Sequence, residues 1–358
     1  MTISPLPPME GPVCPLPLHH DQTVVMGHGS GGRMTHELIQ NTFLPHLSSP
    51  WNTGNDFAAL PLSQESNVPA VLVVSTDSHI VSPLFFPGGD IGRLAVCGTV
   101  NDISMSGATP LYLTAGFILE EGLPISMLEK ILASMKIAAN EAGIQVVAGD
   151  TKVVEKGKGD GIFITTTGVG LKDPRYHPAG QSAVPGDVVL ISGALGDHAM
   201  AVLSARGDLG FETNIQSDVA PLNSMIHELL SAAPHTHVLR DPTRGGLATS
   251  LNEIAAQSKV NITIFEKDIP VHTPVQAVCE MLGFDPLYAA NEGKLIVIVP
   301  PDEADAALAS LRSHPYGREA QMIGEVLPNP KNRVLLKTRI GGSRILDMLA
   351  GEMLPRIC

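Results

Sequence analysis

The feature that most constrains this chain is a restart. Short β-branched runs alternate with amphipathic helical stretches, the pattern dissolves into "KDPRYHPAGQSAVPGD", and it begins again at "VVLISG". A chain of 358 residues is long enough for two cores. In the first half "AVLVVSTD", "PLYLTAGFIL", "IQVVAGDT" and "GIFITTTGVG" read as strands. "GGDIGRLAVCGTVNDISMSGA" reads as a helix with an Asp near its start, and "ISMLEKILASMKIAANEAG" as an amphipathic helix closed by Gly143. In the second half "VVLISG", "VNITIF", "KLIVIVP", "QMIGEV" and "RVLLKT" are strand-like, and "DHAMAVLSARG", "DPTRGGLATSLNEIAAQS", "PVQAVCEMLG" and "DEADAALASLRS" lead into helices. Paired strands with single helices predict two α+β domains rather than one long parallel sheet. The expected divisions are a Pro-rich flexible leader over residues 1–21, an N-terminal domain over 22–175, a C-terminal domain over 176–342 and a mobile tail over 343–358. Fully extended, such a tail reaches roughly 50 Å.

Composition narrows the function classes. The formal charge of −13 repels phosphate backbones, and no basic run or interleaved aromatic stripe opposes it, so nucleic acid is not an expected partner. No apolar run approaches the roughly 20 residues that cross a bilayer. The start, "MTISPLPPMEGPVCPLPLHHD", lacks the basic and apolar regions of a signal peptide. Cys14, Cys97, Cys279 and Cys358 form no CxxC pair and no zinc-ligand spacing, a usage normal for a reducing compartment. The expectation is a cytoplasmic protein without a membrane partner.

The carboxylates carry most of the chemistry. Asp77 and Asp150 each follow an apolar strand, where a side chain can face a cleft. Asp102 lies inside a predicted helix and shares a face with Ala95 and Gly98, small residues that leave room beside it. Asp56 sits in the loop "GNDFAAL". Each alone reads equally as a cap or turn residue. Together, in one half of the chain, they point to a Mg²⁺–phosphate site, because several carboxylates can share that ion. "GHGSGG" satisfies G-x-G-x-x-G at Gly27, Gly29 and Gly32, but the window after it is neither a strand nor an acidic one, so a dinucleotide fold is not expected. A flexible glycine loop near an anion, or a simple tight turn, remain. Lys152 could meet a phosphate or lie in solvent. In "DPTRGGL", Asp241 and Thr243 precede a helix start suited to an anion, or to an ordinary cap on Pro242. Glu292, at the entrance to an apolar strand, is a candidate general base or a turn residue. His28 and His198 are candidate proton carriers. For Cys358, a prenylation signal would need the cysteine where Pro355 stands. A stray residue and a working thiol stay open.

Taken together, "GHGSGG", "STDSHIVSPLFFPGGDIGRLAVCGTVNDISMSGA", "GFILEEGLP", "VVAGDTKVV", "GDH", "DPTRGGL", "ANEGKL" and terminal "PRIC" resemble the HypE family of hydrogenase maturation proteins, over nearly the whole chain from about residue 24. The wider superfamily of ATP-using synthetases and kinases shares the Asp and Gly motifs but not the "PRIC" end. The resemblance implies a two-domain, AIR-synthetase-like (PurM-like) α+β fold whose N-terminal domain pairs in a homodimer. It implies a reaction: a carbamoyltransferase, HypF, loads the terminal cysteine, ATP drives dehydration of the S-carboxamide to an S-thiocyanate, and cyanide passes to iron on a HypC–HypD scaffold. It implies ATP and Mg²⁺ as cofactors. By the match, Gly27, Gly29, Gly31, Gly32, Asp77, Asn101, Asp102, Asp150 and Thr151 belong to nucleotide binding. Asp56, Asp77, Asp102 and Asp150 are the metal candidates, and Cys358, Glu292, Lys152 and His28 the catalytic ones. Asn55 stands where many relatives carry a second Asp, and the leader with Cys14 is outside the pattern. The alternatives are a small-molecule kinase or synthetase of the superfamily, with Cys358 incidental, or a nucleotide-binding scaffold.

Overall fold

The computed structural model describes residues 31–43, 45, 55, 57–61, 71–207, 213–328 and 331–349. The leader, Gly27, His28, Gly29, Asp56 and Cys358 lie outside them. Two sheets organise the chain. The N-terminal sheet has the order β1-β2-β7-β5-β6, formed by β1 (Ala58–Pro61), β2 (Val71–His79), β5 (Ala108–Glu120), β6 (Gln145–Val154) and β7 (Ile162–Lys172). A short hairpin, β3 (Phe85–Phe86) with β4 (Gly89–Asp90), leads into the helix behind that sheet. The first described helix, α1 (Arg33–Leu38), precedes all of these.

Behind the N-terminal sheet lie α2 (Ile91–Ser104) and α3 (Ile125–Ala142). Asp90 starts α2 as its N-cap, with Oδ1 accepting from the Gly92 and Arg93 N–H groups at 2.7 and 3.2 Å. Gly143 ends α3 in the left-handed conformation, φ +70°. α2 is buried almost all round, so it works as a core rod rather than a surface helix. It presses close to β7 because Gly168 and Gly170 carry no side chains there: a Cβ on either would run into Ile103.

The opposite face of this sheet is bare. Tyr112 and Ile118 of β5 and Leu171 of β7 lie on it, 51, 43 and 42 % exposed. Every residue of the edge strand β6 except Val154 is exposed.

The C-terminal sheet has the order β14-β13-β10-β12-β8-β11-β9. Its strands are β8 (Val188–Ile191), β9 (Val238–Arg240), β10 (Asn261–Phe265), β11 (Ile296–Val299), β12 (Gln321–Leu327), β13 (Val334–Lys337) and β14 (Ser343–Leu346). Residues on its strands alternate between two cores. Val189, Ile191, Ile296 and Ile298 pack with α6 (Gly246–Ser258), while Leu190, Val297 and Val299 pack with α5 (Asn223–Ala232) and α8 (Ala304–Ser313). The two halves are joined by a shared core, in which α4 (Asp197–Ala205) and α7 (Thr273–Leu282) contribute to the cluster built on α2 and α3.

The sequence expectations need three adjustments. β14 pairs antiparallel with β13, Val334 opposite Leu346, so residues 343–346 belong to the sheet and the expected tail boundary at 343 is too early. Helix α5 was not anticipated, although Met225, Ile226, Leu229 and Leu230 form its buried stripe. The "DPT" segment does not start a helix: α6 begins at Gly246, after two left-handed glycines, Gly245 and Gly246, at φ +74° and +60°.

Candidate active site

The site grows from three places that the fold brings together: the end of β2, one face of α2, and the turn that leads into β11. Asp77 lies near the end of β2, and its side chain meets α2 at Gly98. A Cβ there would stand 2.9 Å from His79 Nε2 and 3.5 Å from Asp77 Oδ2. One helical turn along α2 from Gly98, Asp102 accepts a hydrogen bond from Ser75 Oγ at 2.6 Å. Asp77 and Asp102 thus share one stretch of the β2–α2 seam.

The electrostatics of Asp77 favour a bound carboxylate ion. Burial acts to raise its pKa, but His79 and Arg244, with the Ser78 N–H, outweigh this and hold it well below the usual carboxylate range. Arg244 Nη2 lies 3.3 Å from Asp77 Oδ1, and the Ser78 N–H donates at 2.8 Å. His79 Nε2 lies 3.2 Å from Asp77 Oδ2 without hydrogen-bond alignment, and neither ring nitrogen of this buried histidine is hydrogen-bonded among the described residues.

Glu292 is the opposite case. It is 6 % exposed. Burial, then the carboxylates of Asp241, Asp77 and Asp218, push its pKa well up, against a smaller opposing effect from Arg244. The carboxyl group is therefore harder to ionise than an ordinary carboxylate, and the Asp77 carboxylate is one of the reasons.

Neighbouring groups fix the turn that carries it. The Glu292 N–H donates to Asp218 Oδ1 at 3.1 Å, and Lys294 Nζ pairs with Asp218 Oδ2 at 3.3 Å. Asn291 is fully buried and accepts from the Gly196 N–H at 2.7 Å while donating to the carbonyls of Pro242 and Ala289.

Other predicted residues fall elsewhere. Asp150 and Lys152 are exposed on β6 and bound to each other, Lys152 Nζ to Asp150 Oδ2 at 2.6 Å, with the Thr151 N–H donating to Asp150 Oδ1. Asp77 pairs with Thr166 of β7, and Thr166 with Ala115 of β5, a buried row that faces α2. Asp150 pairs with Gly116, one residue on, and so faces the bare side of the sheet. Strand β6 is three strands from β2, about 14 Å at the usual spacing. One chain therefore does not bring Lys152 to Glu292.

Asn101, a nucleotide-binding candidate, joins the two halves. Its amide donates to the carbonyls of Ala220 and Glu292 at 3.1 and 3.4 Å, and its Oδ1 accepts from the Leu222 N–H at 2.8 Å. Asn55 likewise reaches the second half, accepting from the Gly180 N–H at 2.8 Å.

The glycine loop is seen at its end. A Cβ on Gly31 would stand 2.5 Å from Arg244 Cβ, and one on Gly32 would run into the Leu349 carbonyl. The Arg33 N–H donates to that same carbonyl at 3.0 Å. The loop therefore lies between Arg244 and the base of the C-terminal segment. His198, a candidate proton carrier, is buried instead with Nδ1 2.8 Å from Ser217 Oγ and its ring edge-on to Phe86.

Sequence reasoning missed Arg244, Asp218, Lys294 and His79. The spacing of Asp77 and His79 on one face of a strand was a usable signal. Asp218 had none, because its role depends on a contact with residue 292 far along the chain.

The donor set suits Mg-ATP. Asp77 and Asp102 supply hard carboxylate oxygens at one seam, Gly98 keeps the space beside them open, and the buried His79 Nδ1 has no hydrogen bond among the described residues. Among the described residues no three acidic, histidine or cysteine side chains are placed to hold a metal. Mg²⁺ is commonly bound by one or two carboxylates, with substrate phosphates and waters completing its shell.

Comparison with known proteins identifies the lineage. Residues 54–172 match the N-terminal domain of the AIR synthase related proteins, and residues 184–337 match their C-terminal domain. Carbamoyl dehydratase HypE of Cupriavidus necator is 54% identical over 334 residues, covering 93% of this chain and 94% of that protein. The chain belongs to the HypE family. Among solved structures, a HypE–HypF complex aligns at a TM-score of 0.81 and 50% identity over 87% of this chain and 99% of that one. HypE in complex with ATP aligns at 0.78 and 50% identity, over 94% and 100%. No helix among the described residues is long and apolar enough to cross a membrane.

Proposed function

We propose that this chain is an ATP-dependent carbamoyl dehydratase of hydrogenase maturation, which converts the S-carboxamide on its own Cys358 to an S-thiocyanate. The observation that carries the reading is the buried Glu292, near enough to the Asp77 carboxylate of the β2–α2 seam to be hindered by it from ionising, in a chain 54% identical over 93% of its length to a carbamoyl dehydratase HypE. In the overall change the amide C–O bond breaks, both N–H protons leave, a carbon–nitrogen triple bond forms, and ATP becomes ADP and phosphate. Mg-ATP, when bound, supplies the phosphoryl group that makes the amide oxygen a leaving group, and the charge that screens it. Asp77 and Asp102 would hold that cation, with Asp56 as a further candidate and Asp150 one only if a second copy brings it there. Gly31 and Gly32, with Gly27, Gly29 and His28 before them, would close over the nucleotide or the tail.

Glu292 takes the amide protons. Its raised pKa makes it a stronger base, once ionised, than an ordinary carboxylate. Arg244 offsets part of the negative charge around it. Lys152 is the candidate for the developing anion on the amide, and the placement of β6 calls for a second copy to bring it there. The bare apolar face of the N-terminal sheet suits a homodimer, because a monomer rarely leaves so many large apolar side chains exposed together. HypF would load Cys358, a HypC–HypD complex would receive cyanide, and the cytoplasm is the compartment in which Cys358 stays a thiol.

The test follows the mass of the intact protein. Carbamoylated chain given Mg-ATP loses one water. Cys358→Ala removes the carbamoyl group altogether while ATP binding persists. If the alanine variant is still carbamoylated, the assignment of the carrier thiol is wrong.

A further inference from the structure

We propose that Asn101 is a positioning residue for the dehydration, setting where Glu292 stands relative to the Asp77–Asp102 seam, with Asp218 supporting the same turn from the other side. The proposal rests on the reading of Glu292 as the base.

The need arises from the architecture. The seam that would hold the phosphoryl donor belongs to the N-terminal half, and Glu292 belongs to the C-terminal half. A proton acceptor displaced by about 1 Å can cost about a hundredfold in rate. Something must therefore register one half against the other at the site itself. Asn101 is 1 % exposed and lies on α2 next to Asp102. Asp102 turns to its own sheet, toward Ser75. Asn101 turns the other way and spends its amide on the second half: the carbonyls of Ala220 and Glu292, and the Leu222 N–H. Adjacent residues of one helical turn thus fix the carboxylate seam and the Glu292 backbone together.

The second support is Asp218. Its Oδ1 accepts from the Glu292 N–H at 3.1 Å, and Lys294 holds its Oδ2 at 3.3 Å with side chains only 12 and 3 % exposed for Lys294 and Asp218. A side chain on Gly293 would run into the Asp218 carbonyl, so the turn lies directly on this segment. Asn101 grips the Glu292 carbonyl and Asp218 grips its N–H. The peptide groups on both sides of Glu292 are held, and the direction of its side chain follows.

The experiment uses the full chain carbamoylated on Cys358 and reads single-turnover water loss with Mg-ATP, alongside ATP affinity by calorimetry. Asn101→Ala and Asp218→Ala are expected to slow water loss by about ten- to a hundredfold while ATP affinity stays within about threefold. Asp218→Asn keeps an oxygen for the Glu292 N–H and is expected to recover most of the rate lost in Asp218→Ala. Should Asn101→Ala fail to fold by circular dichroism, the Asp218 pair decides. Wild-type rates in the alanine variants overturn the proposal, as does a loss of ATP affinity in Asn101→Ala that matches its loss of rate. Glu292→Gln separates the two readings: if it still loses water, Glu292 is not the base. If it is inactive while both alanine variants are fast, only the positioning role fails.

Discussion

At the scale of single residues, the site works by setting two carboxyl groups apart. Asp77 is made easier to ionise by His79 and Arg244 against its burial, whereas Glu292 is made harder to ionise by burial and by Asp241, Asp77 and Asp218. Environments that drive two acids in opposite directions separate their roles: one suits a cation, the other proton transfer. The neutral form of Glu292 has the shape of glutamine. Glu292→Gln is therefore expected to unfold at a temperature no lower than the parent's near neutral pH, while water loss from the carbamoylated chain falls by about 10²- to 10⁴-fold. Thermal melts and intact-protein mass measurements on the same preparation check both halves. A variant that is both inactive and unstable would mean that the carboxyl group is a structural prop.

At the scale of elements, α2 carries the argument. Its Asp90 cap, its buried face and its seam with β2 come from one segment, "GGDIGRLAVCGTVNDISMSGA", and this is why the helix and the placement of Asp102 were legible in the sequence. Replacing a helical glycine by alanine ordinarily stabilises by about 1 kcal/mol. At Gly98 the sign should reverse, because the new methyl would press on His79 Nε2 and fill the space beside Asp77. Gly98→Ala is expected to destabilise by about 1–3 kcal/mol and to weaken ATP binding, both measurable by denaturant titration and calorimetry. A second element-level device joins the start of α4 to the loop before α7: His272 lies between Asp197 at 2.9 Å and Glu319 at 3.0 Å. Burial alone would lower the His272 pKa, yet these two carboxylates raise it above 6.5. Its contribution to stability is complete below 6.5 and is lost as pH rises through the higher folded value. The ring is half-exposed, so the amount is less than about 1 kcal/mol. His272→Gln should flatten the decline in melting temperature above that pH, and an unchanged slope would remove the ion pair from the account. Contacts of this kind were not legible. His272, Asp218 and Asn101 each act on partners more than forty residues away, and local periodicity carries no trace of them. Helix α5 is different: its apolar stripe was present in "NSMIHELLSA" and was overlooked between two loops.

At the scale of the whole molecule, the candidate lysine, Lys152, lies apart from Glu292 within one chain. Lys152 and Asp150 pair with each other on the outermost strand, on the side of the sheet away from Asp77, where Tyr112, Ile118 and Leu171 are exposed. A two-fold dimer formed through that face would present the same patch from both copies, and β6, an edge strand with nearly every residue exposed, would gain cover. Tyr112→Lys on the bare face of β5 should then shift the mass in solution from a dimer toward the 37.7 kDa monomer, as read by light scattering. The sharper consequence concerns which copy's lysine serves which site. If Lys152 acts across the interface, Lys152→Ala and Glu292→Gln chains are each inactive alone. A mixed dimer, however, has one site with the wild-type glutamate of the first chain and the wild-type lysine of the second. Random mixing makes half of the dimers mixed and leaves one competent site in each, so about a quarter of the wild-type rate should return. If Lys152 acts within its own chain, every site in the mixed dimer lacks one of the two groups, and mixing restores nothing. The rate of water loss after co-refolding equal amounts of the two variants distinguishes these arrangements without any further structure.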